Sequence, residues 1–140
     1  MAITTTTHLN FRGDARAALQ FYADVFEGEA MLVTYGQAGT AHDPAEADQI
    51  IFGHVASPAG FQIMAYDVPA AMAFNAGVIP VFVSVRGEDG EEIARYWERL
   101  AQGATIVQPL GPSGWAPLYG MLKDRFGITW VFDVQAARNA

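Results

Sequence analysis

The sequence predicts an α+β fold built from two copies of a βαβββ module, whose curved mixed sheets would enclose a cup. Three observations predict it. First, two stretches carry apolar residues at helical spacing, Ala15 to Phe26 and Glu91 to Ala101; each follows a strand-like run and a Gly/Asp turn, and each is followed by a glycine, Gly28 or Gly103. Second, strand-length apolar runs follow each helix. Third, Gly60-Phe61-Gln62-Ile63-Met64-Ala65-Tyr66-Asp67-Val68 can be laid beside Gly127-Ile128-Thr129-Trp130-Val131-Phe132-Asp133-Val134, both running from a turn glycine through an apolar strand to Asp-Val. That similarity reads as an internal duplication.

Taken in order, Thr4 to Phe11 is β-branched and reads as a strand. Asp14 is placed to cap the helix from Ala15 to Phe26, whose buried stripe is Ala18, Leu19, Phe21, Tyr22, Val25 and Phe26. Glu29 to Tyr35 is a strand. Gln37 to Asp48, rich in Gly, Ala, Asp and Pro, reads as a mobile excursion that includes His42. Gln49 to Ala56 and Phe61 to Tyr66 form a hairpin across Ser57-Pro58-Ala59-Gly60. Residues 69–79 connect a first module, 1–68, to a second, 80–140, within one domain spanning 1–140.

The second module opens with a strand from Pro80 to Val85. Its helix buries Ile93, Tyr96, Trp97, Leu100 and Ala101, with Glu91 and Glu92 in the first turn, where the helix dipole favours acids. Thr105 to Gln108 is a strand and Pro109 to Ala116 a loop. The final hairpin pairs Leu118 to Leu122 with Ile128 to Val134 across Lys123-Asp124-Arg125-Phe126-Gly127, a turn expected to be solvated.

Composition bounds the function. The 140 residues are 51% hydrophobic and 12% aromatic, enough for a sizeable core without staples. The chain has no cysteine, which removes disulfides, thiolate nucleophiles and cysteine-ligated metals. A formal charge of −7, with eight Lys and Arg spread singly, leaves no basic stripe for nucleic acid. No apolar run approaches the roughly 18 to 20 residues of a membrane span, and Met1 to Thr7 lacks the basic and apolar regions of a signal peptide. The expectation is a cytoplasmic protein with no nucleic-acid or membrane partner.

Two motifs carry a resemblance to a known family. The opening His8-Leu9-Asn10-Phe11-Arg12-Gly13-Asp14-Ala15-Arg16-Ala17-Ala18-Leu19-Gln20-Phe21-Tyr22-Ala23-Asp24-Val25-Phe26-Glu27-Gly28 and the closing Trp115, Tyr119-Gly120-Met121-Leu122-Lys123-Asp124-Arg125-Phe126-Gly127 and Trp130 are the matching stretches. They resemble the glyoxalase, bleomycin-resistance and extradiol-dioxygenase superfamily, also called vicinal oxygen chelate, and within it the PhnB-like branch. The resemblance covers nearly the whole chain and implies a glyoxalase-like fold, usually as a homodimer. Metal-dependent members place four His, Glu or Gln ligands on cup-facing strands. Mapped here, those positions fall near Thr7 or His8, then at Met64, Pro80 and Val131, and Met, Pro and Val cannot supply the donors a divalent metal needs. The resemblance therefore implies no metal and no cofactor. Some relatives carry a demethylubiquinone methyltransferase label, but the chain has no glycine-rich strand-to-helix loop of the Rossmann type for a methyl donor.

The candidate site residues are His8, Met64, Tyr66, Phe82, Trp115, Tyr119 and Met121, expected to line an apolar, aromatic cavity with Trp115 and Tyr119 at its mouth. Met64, Tyr66, Phe82, Trp115, Tyr119, Met121 and Trp130 together offer more aromatic and thioether surface than a small core needs, although alternation lets only half of those in one strand face the cup. His8 reads as a cup-lining histidine and His54 as a structural or solvated one. Asp67 and Asp133, at equivalent places after the strands, suggest turn or edge roles. The function expected is binding or sequestering a small apolar or aromatic molecule. The alternatives are a metal-dependent lyase, isomerase or dioxygenase of the same superfamily, and a non-catalytic structural or interaction homodimer.

Overall fold

The periodic stretches become helices, but one of them ends for a different reason from the one predicted. In a computed structural model describing residues 2–41 and 43–135, helix α1 (Ala15–Phe26) is closed by Glu27 in the left-handed conformation at φ 59°. Gly28 does not supply the turn. It is a glycine because a Cβ there would lie 2.7 Å from the Ala56 carbonyl oxygen.

Around α1, the first unit, Met1–Ala76, holds β1 (His8–Phe11), β2 (Glu29–Thr34), β3 (Ile50–Ala56) and β4 (Gln62–Asp67) in the sheet order β1-β4-β3-β2. The β1–β4 pair is parallel and the others antiparallel. The second unit, Gly77–Ala140, repeats the plan with β5 (Val83–Gly87), α2 (Gly90–Leu100), β6 (Thr105–Gly111), β7 (Leu118–Lys123) and β8 (Thr129–Val134) in the order β5-β8-β7-β6, with β5–β8 parallel. The same βαβββ connectivity and the same strand order in both units make this an α+β fold of duplicated modules.

Each helix covers one face of its own sheet. In the first unit Leu9, Phe11, Val55, Ile63 and Ala65 point at α1 and are buried with Leu19, Tyr22, Val25 and Phe26. A Cβ on Gly53 would fall 2.2 Å from Leu19 Cδ1, so this position in β3 must stay bare for α1 to sit down. In the second unit a Cβ on Gly120 would fall 2.9 Å from the Trp97 ring. Gly53 pairs with Ala65 and Gly120 with Phe132, each five residues past its turn glycine, so the two bare spots are duplicates. Trp97 then packs edge-on against Phe132 at 5.5 Å between ring centres.

The N-terminus of α1 is satisfied from across the sheet. Asp14 makes no side-chain cap. Instead Asp67, buried at the end of β4, accepts from Gly13 N (2.7 Å), Ala15 N (3.1 Å) and Ile50 N (2.9 Å). An anion there meets the positive end of the helix dipole. Nearby, the buried Tyr35 hydroxyl donates to the Asp67 carbonyl oxygen at 2.6 Å. Burial raises the Tyr35 phenol above its ordinary pKa, with the charges of Tyr66, Asp67 and Glu46 adding to the effect.

Several predicted boundaries move. The first strand begins at His8, not Thr4. Within Gln37 to Asp48, predicted as a mobile excursion, the described residues fold back: Gly36 N donates to Ala47 O, and a 3₁₀ turn, Pro44–Glu46, buries Glu46 against Ala70 N at 2.5 Å. His42 lies outside the described residues. The strand predicted from Pro80 runs from Val83 to Gly87, and β6 extends through Pro109 to Gly111. As the edge of its sheet, β6 accommodates a residue without an N–H.

Candidate functional site

In each unit the sheet face opposite the helix is open, and strand alternation decides which side chains it receives. In the first unit, register puts His8, Met64, His54 and Met31 in one row across β1, β4, β3 and β2. Asn10 and Tyr66 pair in the next row. The His8 ring meets Tyr66 edge-on at 5.2 Å, and its Nδ1 lies 3.2 Å from Asn10 Oδ1. His54 Nε2 turns the other way, 3.1 Å from Gln62 Oε1. The Tyr66 hydroxyl donates to Met72 Sδ at 3.7 Å. His8, Met64 and Tyr66 thus share one half-open surface, with His54 as a neighbour.

The second unit gathers Tyr119 and Met121 on the open face of β7, with Val131 and Asp133 beside them on β8 and Ser84 and Arg86 beyond on β5. Trp115 lies in the connection before β7. Ser113 shapes that connection, its hydroxyl donating to Ala116 O at 3.2 Å and accepting from Ala116 N at 3.0 Å. The Trp115 ring is 66% exposed and meets Tyr119 edge-on at 4.9 Å. Phe82 falls outside β5 and is exposed.

Two other aromatic and acidic assignments change. Trp130, counted among the candidate cup aromatics, is fully buried on the helix side, where its Nε1 donates to Asp124 Oδ2 at 2.9 Å. Asp124, expected to be solvated, is itself buried and also accepts from Phe126 N and Ile128 N. Arg125 donates to Gln102 O at 2.9 Å, tying the hairpin turn to the segment after α2.

Asp67 and Asp133 are not equivalent. Asp67 stands seven residues after Gly60 and Asp133 six after Gly127, and a one-residue difference reverses the face of a strand. Asp67 therefore faces α1, whereas Asp133 faces outward and pairs with Arg86, whose Nε donates to both carboxylate oxygens at 3.1 and 3.2 Å. Arg86 was not singled out in the sequence, and Asp133 was read only as a turn or edge residue. The alternation Val83, Ser84, Val85, Arg86 held the signal, but the predicted strand stopped at Val85.

The superfamily's metal positions can be tested against register. His8 pairs with Met64, four residues past its glycine, and the duplicate pair is Ser84 with Val131. The position opening the second module is therefore Ser84 rather than Pro80, which lies outside β5. His8, Met64, Ser84 and Val131 do not make a donor set for a divalent metal. Among the described residues there is no group of three or more His, Asp or Glu that could hold one. A methyl donor of the nucleoside type also lacks its usual cradle. Neither strand-to-helix junction carries the G-x-G-x-x-G pattern, and both helix N-termini already hold carboxylates, Asp67 on α1 and Asp89 on α2, the latter accepting from Glu91 N and Glu92 N.

Comparison with known proteins places this architecture. The family model described as 3-demethylubiquinone-9 3-methyltransferase matches residues 3–132. The crystal structure of protein PA1353 from Pseudomonas aeruginosa is similar with a TM-score of 0.81 and 27% identity, covering 96% of this chain and 98% of that one. A putative 3-demethylubiquinone-9 3-methyltransferase, PhnB protein, from Bacillus cereus follows at 0.72 and 26%, covering 94% and 99%. A glyoxylase/bleomycin resistance protein/dioxygenase domain from Frankia sp. EAN1pec shares the fold at 0.66 and 17% identity, covering 99% and 96%. The chain belongs to the 3-demethylubiquinone-9 3-methyltransferase family, and it shares its fold with glyoxalase and bleomycin-resistance proteins.

Proposed function

We propose that this chain binds or sequesters a small apolar or aromatic molecule without a metal, as a homodimer. The observation that carries the reading is the open face of the second unit. Trp115, Tyr119 and Met121 present aromatic and thioether surface there while α2 and Trp130 fill the core on the other side. Flat apolar molecules gain most from such surface, because ring contacts add to area burial. The positions that hold metal ligands elsewhere in the superfamily carry Met64, Ser84 and Val131, which supports metal independence. Val78, Ile79, Val81 and Phe82 are exposed apolar residues close together in sequence, and covering them favours association with a second copy.

The test is a fluorescence titration with naphthalene-2-carboxamide, a flat and neutral probe, read through the tryptophans. Trp115→Ala is expected to weaken binding about tenfold, the loss of one aromatic contact. Its urea midpoint should stay at the wild-type value, because the ring is 66% exposed. Equal losses of stability and binding would make Trp115 a structural residue and sink the assignment.

A further inference from the structure

We infer that the ligand of the second unit's open face carries a carboxylate, and that Arg86 receives it. The inference rests on the aromatic-binding reading above and adds the polar half of the recognition. Arg86 sits one strand from Asp133, and Asp133 one strand from Tyr119, so the three form one row, Arg86 and Tyr119 about 10 Å apart at the Cα atoms by normal strand spacing. Asp133 takes only the Nε edge of the guanidinium, with both of its oxygens. The terminal nitrogens carry the remaining four of an arginine's five N–H donors, and they can only donate. A planar fork held along one edge and open at the other matches a carboxylate in two parallel hydrogen bonds.

The electrostatics of the face point the same way. The whole chain has a formal charge of −7. Yet the charged side chains that alternation places on the open face of β5, β7 and β8 are Arg86, Lys123 and Asp133, two cations and one anion. Arg86 stands in the row of Tyr119, and Lys123 lies four residues along the same face of β7. Asp133 is buried against the sheet while the Arg86 side chain is 56% exposed, so the carboxylate orients the guanidinium from below and leaves its outer edge to solvent. An aromatic acid can then lay its ring on Trp115 and Tyr119 and its carboxylate on Arg86.

The discriminating pair is 2-naphthoate and naphthalene-2-carboxamide, which have the same shape and differ in charge. Wild-type protein is expected to bind the acid roughly tenfold or more tightly than the amide, as a charge-assisted pair implies. That preference should shrink as salt is raised. Arg86→Gln should abolish the preference, and Arg86→Lys should keep part of it, since the charge remains and the fork does not. Equal binding of acid and amide by the wild type overturns the carboxylate inference and leaves aromatic binding standing. A preference that survives in a folded Arg86→Gln protein overturns the assignment to Arg86. Binding of neither probe overturns both readings together.

Discussion

Replacing Asp67 with alanine is expected to lower the free energy of unfolding by about 3–5 kcal/mol, measured by urea denaturation followed in the far-ultraviolet. The side chain is buried and holds three backbone donors, Gly13 N, Ala15 N and Ile50 N. Truncation leaves all three without an acceptor in a place water reaches poorly, and removes the anion from the start of α1. The asparagine variant refines the expectation. Its amide oxygen can still serve Gly13 and Ala15, whereas its NH₂ would face Ile50 N–H, so the loss should be about 1–3 kcal/mol. Asp14→Ala should change stability by no more than ~0.5 kcal/mol, because Asp14 makes no side-chain cap. If Asp14→Ala were the more damaging substitution, the cap would lie where the sequence suggested and the account of this helix would be wrong.

Trp130→Ala should destabilise by about 3–5 kcal/mol, lowering the melting temperature by about 10–17 °C. The indole is fully buried beside Phe132, 6.4 Å between ring centres, and donates to Asp124. Its removal opens a large hole and also takes one donor from a buried carboxylate that organises the hairpin turn through Phe126 N and Ile128 N. Trp130→Phe should lose less, about 1–3 kcal/mol, since most of the volume remains while the hydrogen bond goes. A melting temperature unchanged by Trp130→Ala would mean that this tryptophan lines the ligand surface after all.

The contrast between Trp130 and Trp115 shows what the sequence could tell and what it could not. Trp130 stands in the closing hairpin and Trp115 in the connection just before it, and composition treats them alike. Trp130 is placed by the face of β8 it occupies, which depends on register that a single residue can invert, whereas Trp115 lies outside any strand. The same ambiguity made Asp67 and Asp133 look equivalent. Each precedes a valine at the end of its strand, but the first module has one more residue after its glycine, so one carboxylate caps a helix and the other holds Arg86. Helix α1 was legible in its bounds and in most of its buried stripe, because its period is carried by many side chains at once, although Phe21, expected in that stripe, is only half-buried. Its closing residue was not, since Glu27 adopts a left-handed conformation that glycine would ordinarily fill, while Gly28 is required by the Ala56 backbone. Asp124 escaped notice because its turn is charged and short, and only the hairpin's geometry shows its carboxylate folding inward to three donors. Duplication, by contrast, was visible in outline, and the structure adds matching glycines, Gly53 and Gly120, that let each helix approach its sheet.

Metal independence joined to aromatic binding is the centre of the account, and one titration addresses both parts. Naphthalene-2-carboxamide would be added to protein stripped with a chelator, and to the same protein supplied with one equivalent of nickel, zinc, manganese or iron(II). The account predicts the same dissociation constant in every sample, and no thermal stabilisation by any of the metals alone. Binding that appears only with metal, or a metal that raises the melting temperature as a tight ligand does, would contradict it and return the metal-dependent chemistry of the superfamily to this chain.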